Sequence, residues 1–259
     1  RNYAAGPLVL ILDKTTVAIP WEIIHDGQDF LCRKFALGRN ISTEGTGASP
    51  HGCAITSPVR MLLVANPTGD LPGAEEEGKR LQATLSEGTG IIVEPMHQVT
   101  PIALLERLNS GQYQFLHNAG HAHFDPVHPT RSAWILADGQ MTAEQIGSLN
   151  TVPSLVFANA CESGATAEWQ GDYSYEGRTY GLASAFLLAG VSNYIGTFWP
   201  VHDEASVHFA TIFYNQVLAG LSLGEAMQAA RDAVINLMGW NELAWAGYML
   251  YGDPTFRLM

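Results

Sequence analysis

Cys161 stands where an apolar run gives way to a polar one. In "LVFANACESG" (155–164), Leu155, Val156 and Phe157 read as a buried strand, and Glu162-Ser163-Gly164 as the loop that ends it. Upstream, "HNAGHAHFD" (117–125) sets His117, His121 and His123 at the end of a second apolar run. A thiol is a weak nucleophile while it keeps its proton. An imidazole within hydrogen-bond reach removes that proton and leaves a thiolate at neutral pH. Gly120, Ala122, Ala160 and Gly164 are small enough to let a substrate backbone approach closely. The opposing reading is an inert thiol, since free cysteine is among the most buried residue types.

The histidines also suggest metal chemistry. "HAHFD" places His121, His123 and Asp125 at alternate positions, with His128 beyond, and resembles the HxHxDH run of binuclear metallo-hydrolases. The run breaks at Pro126, where a histidine is required, and His202 and His208 fall at or within a helix. A zinc-dependent hydrolase is therefore the weaker alternative, and no metal or other cofactor is expected.

Either chemistry needs strands to carry it. "PLVLIL" (7–12), "VRMLLVANP" (59–67), "GIIVEP", "QYQFLHNA", "SLVFANA", "VSNYIGTFWPV" and "WAGYMLYGDP" read as strands, and "SAWILADG" as an extended piece. "GAEEEGKRLQATLSEG" (73–88) is an amphipathic helix. Thr100-Pro101 opens another, with threonine as N-cap and proline at the first helical position. Thr142 with Gln145, and Ser222 with Glu225, match capping boxes. "TYGLASAFLLAG" reads as a helix, and Asp203 as the cap of the helix after it. From Trp21 to Pro58 the hydrophobic period is lost, and the Gly/Ser/Thr-rich part reads as a long mobile connection. Alternating strands and helices imply a mostly parallel sheet with helices on both faces. Ligands bind such sheets at the carboxyl ends of the strands. The histidine and cysteine loops both lie at such ends, and they meet if their strands are parallel neighbours.

At 259 residues the chain suits one large α/β domain or two small ones. Its net charge of −12 argues against a nucleic-acid surface. From Ser132 to Phe256 there are twelve acids against two bases, Arg178 and Arg231, which reads as a solvated acidic face or as a rim attracting a basic partner. No run of 18 apolar residues suggests a membrane span. Three cysteines without paired spacing disfavour a disulfide framework, so a reducing, cytoplasmic setting is expected. The chain begins at Arg1, as expected of a piece of something longer.

Taken in order, "FLHNAGHAHFD", "SAWILADGQMTAEQIGSL" and "PSLVFANACESG" resemble the CHAT domains of the caspase-like (clan CD) cysteine peptidases. "GLASAFLLAGVSNYIGTFWPVHDEAS", "FYNQVLAGLSLGEAMQAARDAV" and "YGDP" extend the likeness over about residues 59–256. The resemblance implies an α/β fold, a caspase-like three-layer α/β/α sandwich with a mostly parallel sheet. Residues 59–259 would form the peptidase domain, and 1–58 an N-terminal strand with an irregular connection, either within the same domain or outside it. It implies a cysteine endopeptidase acting through a thioacyl-enzyme, with His121 as base and Cys161 as nucleophile. His117 and His123 would be bystanders. The backbone N–H groups of Cys161 and Ala122 would stabilise the oxyanion.

The resemblance further places Asn159 in the primary specificity pocket, with the end of "NYIGTFWPV" as one wall. There Trp199 and Asp203 suit the stem and head of arginine or lysine. If Asp203 only caps a helix, the pocket is mainly apolar. Expected partners are a protein or peptide substrate and regulatory domains or proteins outside this chain, with no direct nucleic acid and no membrane. Residues 162–180, rich in acids and glycine, are expected to be mobile and to order on docking. A catalytically inactive peptide-binding scaffold is the other alternative.

Overall fold

Hydrophobic side chains alternate along the central strands, and the alternation separates two cores. In β3 (Val59–Ala65), Met61 and Leu63 belong to one cluster, Leu62 and Val64 to the other. The same holds for Phe115 against Leu116 in β5 (Phe115–Ala119), and for Phe157 against Val156 in β9 (Leu155–Asn159). Strands buried on both faces need a layer above and a layer below. The computed structural model describes residues 6–13, 16–17, 19–41, 58–85, 90–123, 125, 128, 131–159, 182–183 and 186–258.

Those strands belong to an eight-stranded sheet, with β1 (Pro7–Leu12), β2 (Ala36–Ile41), β4 (Ile91–Met96), β10 (Asn193–Thr197) and β11 (Tyr248–Tyr251). The order is β1-β2-β11-β10-β9-β5-β3-β4. Six of its seven strand pairs are parallel and only β10 with β11 is antiparallel, so β1, β2 and β11 run against the other five. β6 (His121–His123), β7 (Ala133–Leu136) and β8 (Gly139–Thr142) form a separate antiparallel meander.

One face carries α1 (Leu31–Lys34), α2 (Pro72–Leu85), α5 (Asp203–Leu218), α6 (Leu223–Met238) and α7 (Ala244–Gly247). Leu81, Phe209, Phe213 and Val234 fill it, with Phe209 stacked on Tyr248. The other face carries α3 (Pro101–Asn109), α4 (Ala143–Gly147), helical Leu182-Ala183 and Phe186–Leu188, and the meander, whose Trp134 and Met141 are buried. The result is a three-layer α/β/α sandwich around a mostly parallel sheet.

The local signals hold where they are chemical. Thr100 accepts the N–H of Ala103 at 3.2 Å, and both capping boxes close. Two expectations change. Asp203 is not the N-cap of α5: that position is His202, which makes no side-chain cap bond, and Asp203 is the first helical residue. And the aperiodic stretch after Trp21 holds α1 and β2, so residues before 59 supply two strands of the sheet. Among the described residues no helix is long and apolar enough to cross a membrane.

Candidate active site

The histidine strand and the cysteine strand are neighbours. β5 and β9 pair in parallel with Ala119 opposite Asn159, and parallel neighbours stand about 4.8 Å apart. Just past them the Gly120 N–H donates to the Asn159 carbonyl at 3.1 Å. The turn that carries His121 is thus tied to the end of the strand that leads to Cys161. β10 pairs with β9 on its other side, also in parallel, so its end reaches the same edge. Cys161 itself, like residues 162–180, lies outside the described residues, as does Cys53. The one cysteine that is described, Cys32, is buried, and burial pushes its thiol up to about 11.

His121 and His123 share one side of β6, as alternation requires. His121 is half-buried; its Nε2 lies 3.1 Å and 3.2 Å from the two carboxylate oxygens of Asp70. The Thr68 hydroxyl, first, and His121, second, hold the Asp70 carboxyl below its ordinary value. Ala122 lies opposite Trp134 and packs on the second core. Asp125 pairs with His128 at 3.7 Å. Among the described residues no group of three His, Cys, Asp or Glu is placed to hold a metal ion.

Beneath the edge lies a cleft lined by Glu77, Gly120, Asn159, Thr197, Asp203 and Ser206, with Leu71, Ala74 and Val201 as its apolar wall. Asn159 and Asp203, both expected at a specificity pocket, meet here. Asp203 leans on the start of α2: a Cβ on Gly73 would stand 2.0 Å from its Oδ2. Trp199 is not among the described lining residues; its indole Nε1 lies against Gly247 instead.

Sequence reasoning missed the acid at the cleft floor. Glu77 is 1% exposed and accepts hydrogen bonds from Asn159 Nδ2 at 2.5 Å and Ser206 Oγ at 3.2 Å. Its Oε1 also lies 2.8 Å from Nε2 of His117, whose Nδ1 meets the Tyr214 hydroxyl at 3.1 Å. A carboxylate only accepts, so Nε2 of His117 carries a proton. Burial, first, and the Glu77 charge hold the Tyr214 hydroxyl well above its ordinary value, so it remains a donor. His117 is fully buried on the α5 side of the sheet, tied at both ring nitrogens. The signal was present in phase: Glu77, Leu81 and Leu85 follow at four-residue spacing on the buried side of α2, whereas Glu75 and Glu76 pair with Lys79 and Arg80 in solvent.

Comparison with known proteins bears on the fold and the family. A sequence profile of the CHAT domain family matches residues 1–253. Tetratricopeptide repeat protein 28 of Homo sapiens is 37% identical over 78 residues, 29% of this chain and 3% of that protein; its Mus musculus counterpart matches equally. Two crystal structures of the Saccharomyces cerevisiae separase-securin complex superpose with TM-scores of 0.59 and 0.61 at 17% and 18% identity. They cover 94% of this chain and 15% of the separase-securin chain matched, so this chain spans a small part of each relative. The structural likeness establishes a caspase-like fold. Since the family profile runs through nearly the whole sequence, this chain belongs to the CHAT domain family.

Proposed function

We propose that this chain is a cysteine endopeptidase that attacks peptide bonds with Cys161 and uses His121 as base. One observation carries the reading: β5 and β9 are parallel neighbours, joined by the Gly120–Asn159 bond, so the His121 turn lies beside Asn159, two residues before Cys161 in sequence. A proton passes from the thiol to the imidazole, the thiolate attacks the carbonyl, and the imidazolium returns the proton to the leaving amine. Water then releases the thioacyl-enzyme. The backbone N–H groups of Ala122 and Cys161 are the proposed oxyanion donors.

The cleft supports a basic side chain before the scissile bond. Asp203 and Glu77 supply carboxylates, and Leu71, Ala74 and Val201 supply apolar contact for the stem of arginine or lysine. Regulation by neighbouring domains or partner proteins is part of the same proposal, because the relatives it matches are far longer than this chain.

The test is to incubate the chain with a diverse peptide library and map the cut bonds by mass spectrometry. Cys161→Ala and His121→Ala should each abolish cleavage, and the double variant should be no worse, because the pair acts as a unit. Thiol alkylation should stop the reaction and chelation should not. Cleavage by Cys161→Ala at more than a few per cent of the parental rate overturns the assignment. Binding of peptides without any cutting would instead mark a scaffold.

A further inference from the structure

The six-residue loop between β3 and α2 is built around His121. Asn66, at φ +50°, donates its N–H to the Ala119 carbonyl at 2.9 Å, two residues before His121. Its side-chain Oδ1 accepts the Leu71 N–H at 2.9 Å, and its carbonyl accepts the Gly69 N–H at 3.2 Å, which closes the loop on itself. The Pro67 ring lies against Gly120, where a Cβ would stand 3.0 Å from the proline Cδ. Asp70 is held out from this frame by the Thr68 hydroxyl, which donates to its Oδ1. Both Asp70 oxygens lie within hydrogen-bond distance of His121 Nε2.

The chemistry of that contact has a direction. A carboxylate accepts and cannot donate, so the Nε2 that faces it carries a hydrogen. In a neutral imidazole the other nitrogen is then the acceptor, because the hydrogen bond made by one nitrogen sets the state of the other. We propose that Asp70 is the positioning residue of the dyad: it selects the Nε2–H form of His121 and holds the ring with Nδ1 as its acceptor, the nitrogen that takes the thiol proton in the peptidase reading. The S–H bond breaks, the Nδ1–H bond forms, and the resulting imidazolium rests beside a carboxylate. The proposal rests on the peptidase reading above.

Position and stability can be separated here. The Asp70 side chain is 63% exposed, and exposed ion pairs contribute little to folding. Loss of function without loss of stability is the expected signature. Asp70→Ala should lower kcat about tenfold to a hundredfold, the cost of misplacing a reacting group. This is short of the roughly ten-thousandfold loss when a buried triad aspartate becomes asparagine. KM should change less than kcat. Thr68→Val, which frees Asp70, should give a smaller fall in the same direction.

The deciding measurement reads the ring itself. In histidine-15N-labelled chain, long-range proton–nitrogen NMR reports which His121 nitrogen is protonated, with His121→Gln identifying the signal. The parent should show Nε2–H, and Asp70→Ala should lose that preference. The same spectra are recorded in Cys161→Ala, so the outcome stands whether or not any peptide is cut. An unchanged His121 signal in Asp70→Ala overturns the proposal, as does a lost preference accompanied by a parental kcat.

Discussion

Glu77→Ala and Glu77→Gln should part company in a way that only the buried network explains. Glu77 accepts from Asn159 and Ser206, and its Oε1 faces the proton on His117 Nε2. Alanine takes this acceptor from Asn159 and His117 in a site that is 1% exposed, while Ser206 can turn to another. A buried donor left without its acceptor costs about 1–3 kcal/mol, so the losses at Asn159 and His117 together come to about 2–6 kcal/mol. Glutamine behaves differently, because Ser206 has a choice. Its Oγ lies 2.9 Å from the Asp203 carbonyl as well as 3.2 Å from Glu77 Oε2, and it has one hydrogen to give. With glutamine, Ser206 can donate to the Asp203 carbonyl and accept from the new amide, while the remaining amide oxygen keeps Asn159 and His117 satisfied. What is lost is charge assistance on those bonds, about 1–2 kcal/mol. Urea unfolding followed by circular dichroism measures both variants, with the slope m expected to stay parental. In melting temperature the alanine variant should fall on the order of 10 °C, at roughly 2–4 °C per kcal/mol for a domain near this size. The reasoning is refuted if alanine costs less than about 1 kcal/mol, or if glutamine costs as much as alanine.

Two further outcomes follow from the cleft and the core. Asp203→Asn, compared with the parent on matched peptides bearing Arg or Leu before the cut bond, should lose rate selectively on the Arg peptide; equal rates on both would remove Asp203 from the pocket. Stability should decline in alkali. Cys32 is raised from 9.0 to about 11 by burial, so the folded chain binds that proton more tightly than the unfolded one. This contribution is complete below pH 9 and is lost as the pH climbs toward 11, with a span of about 3 kcal/mol. Tyr214, also raised by burial, steepens the decline. Urea midpoints across this range should flatten in Cys32→Ala, and an unaltered slope there would dismiss Cys32 as the source.

The sequence by itself determined the layers and the edge at which to look. Short apolar runs at "MLLV", "QFL" and "LVF" carry buried strands whose side chains alternate between two cores, and the caps at Thr100, Thr142 and Ser222 start helices through local bonds alone. Such signals need only a few neighbouring residues, so they survive without tertiary context. β2 had no such signal. "ALGRNI" becomes a strand by pairing with β1 and β11, and Gly38 there admits Pro254, where a Cβ would stand 2.5 Å from the proline Cδ. Arg39 can be fully buried there because Glu22 and the carbonyls of Val17 and Ile19 surround its guanidinium. The roles of acids were decided in the same way. Glu75, Glu76 and Glu77 are identical letters in a row, yet two are solvated and one is the hub of a buried network. Asp70 lies 51 positions from the histidine that it touches. A charge is cheap in water and costly in a core unless partners converge on it. Those partners come from distant strands and helices, so which acids could be buried, and which histidine each would hold, was decided only by the tertiary fold.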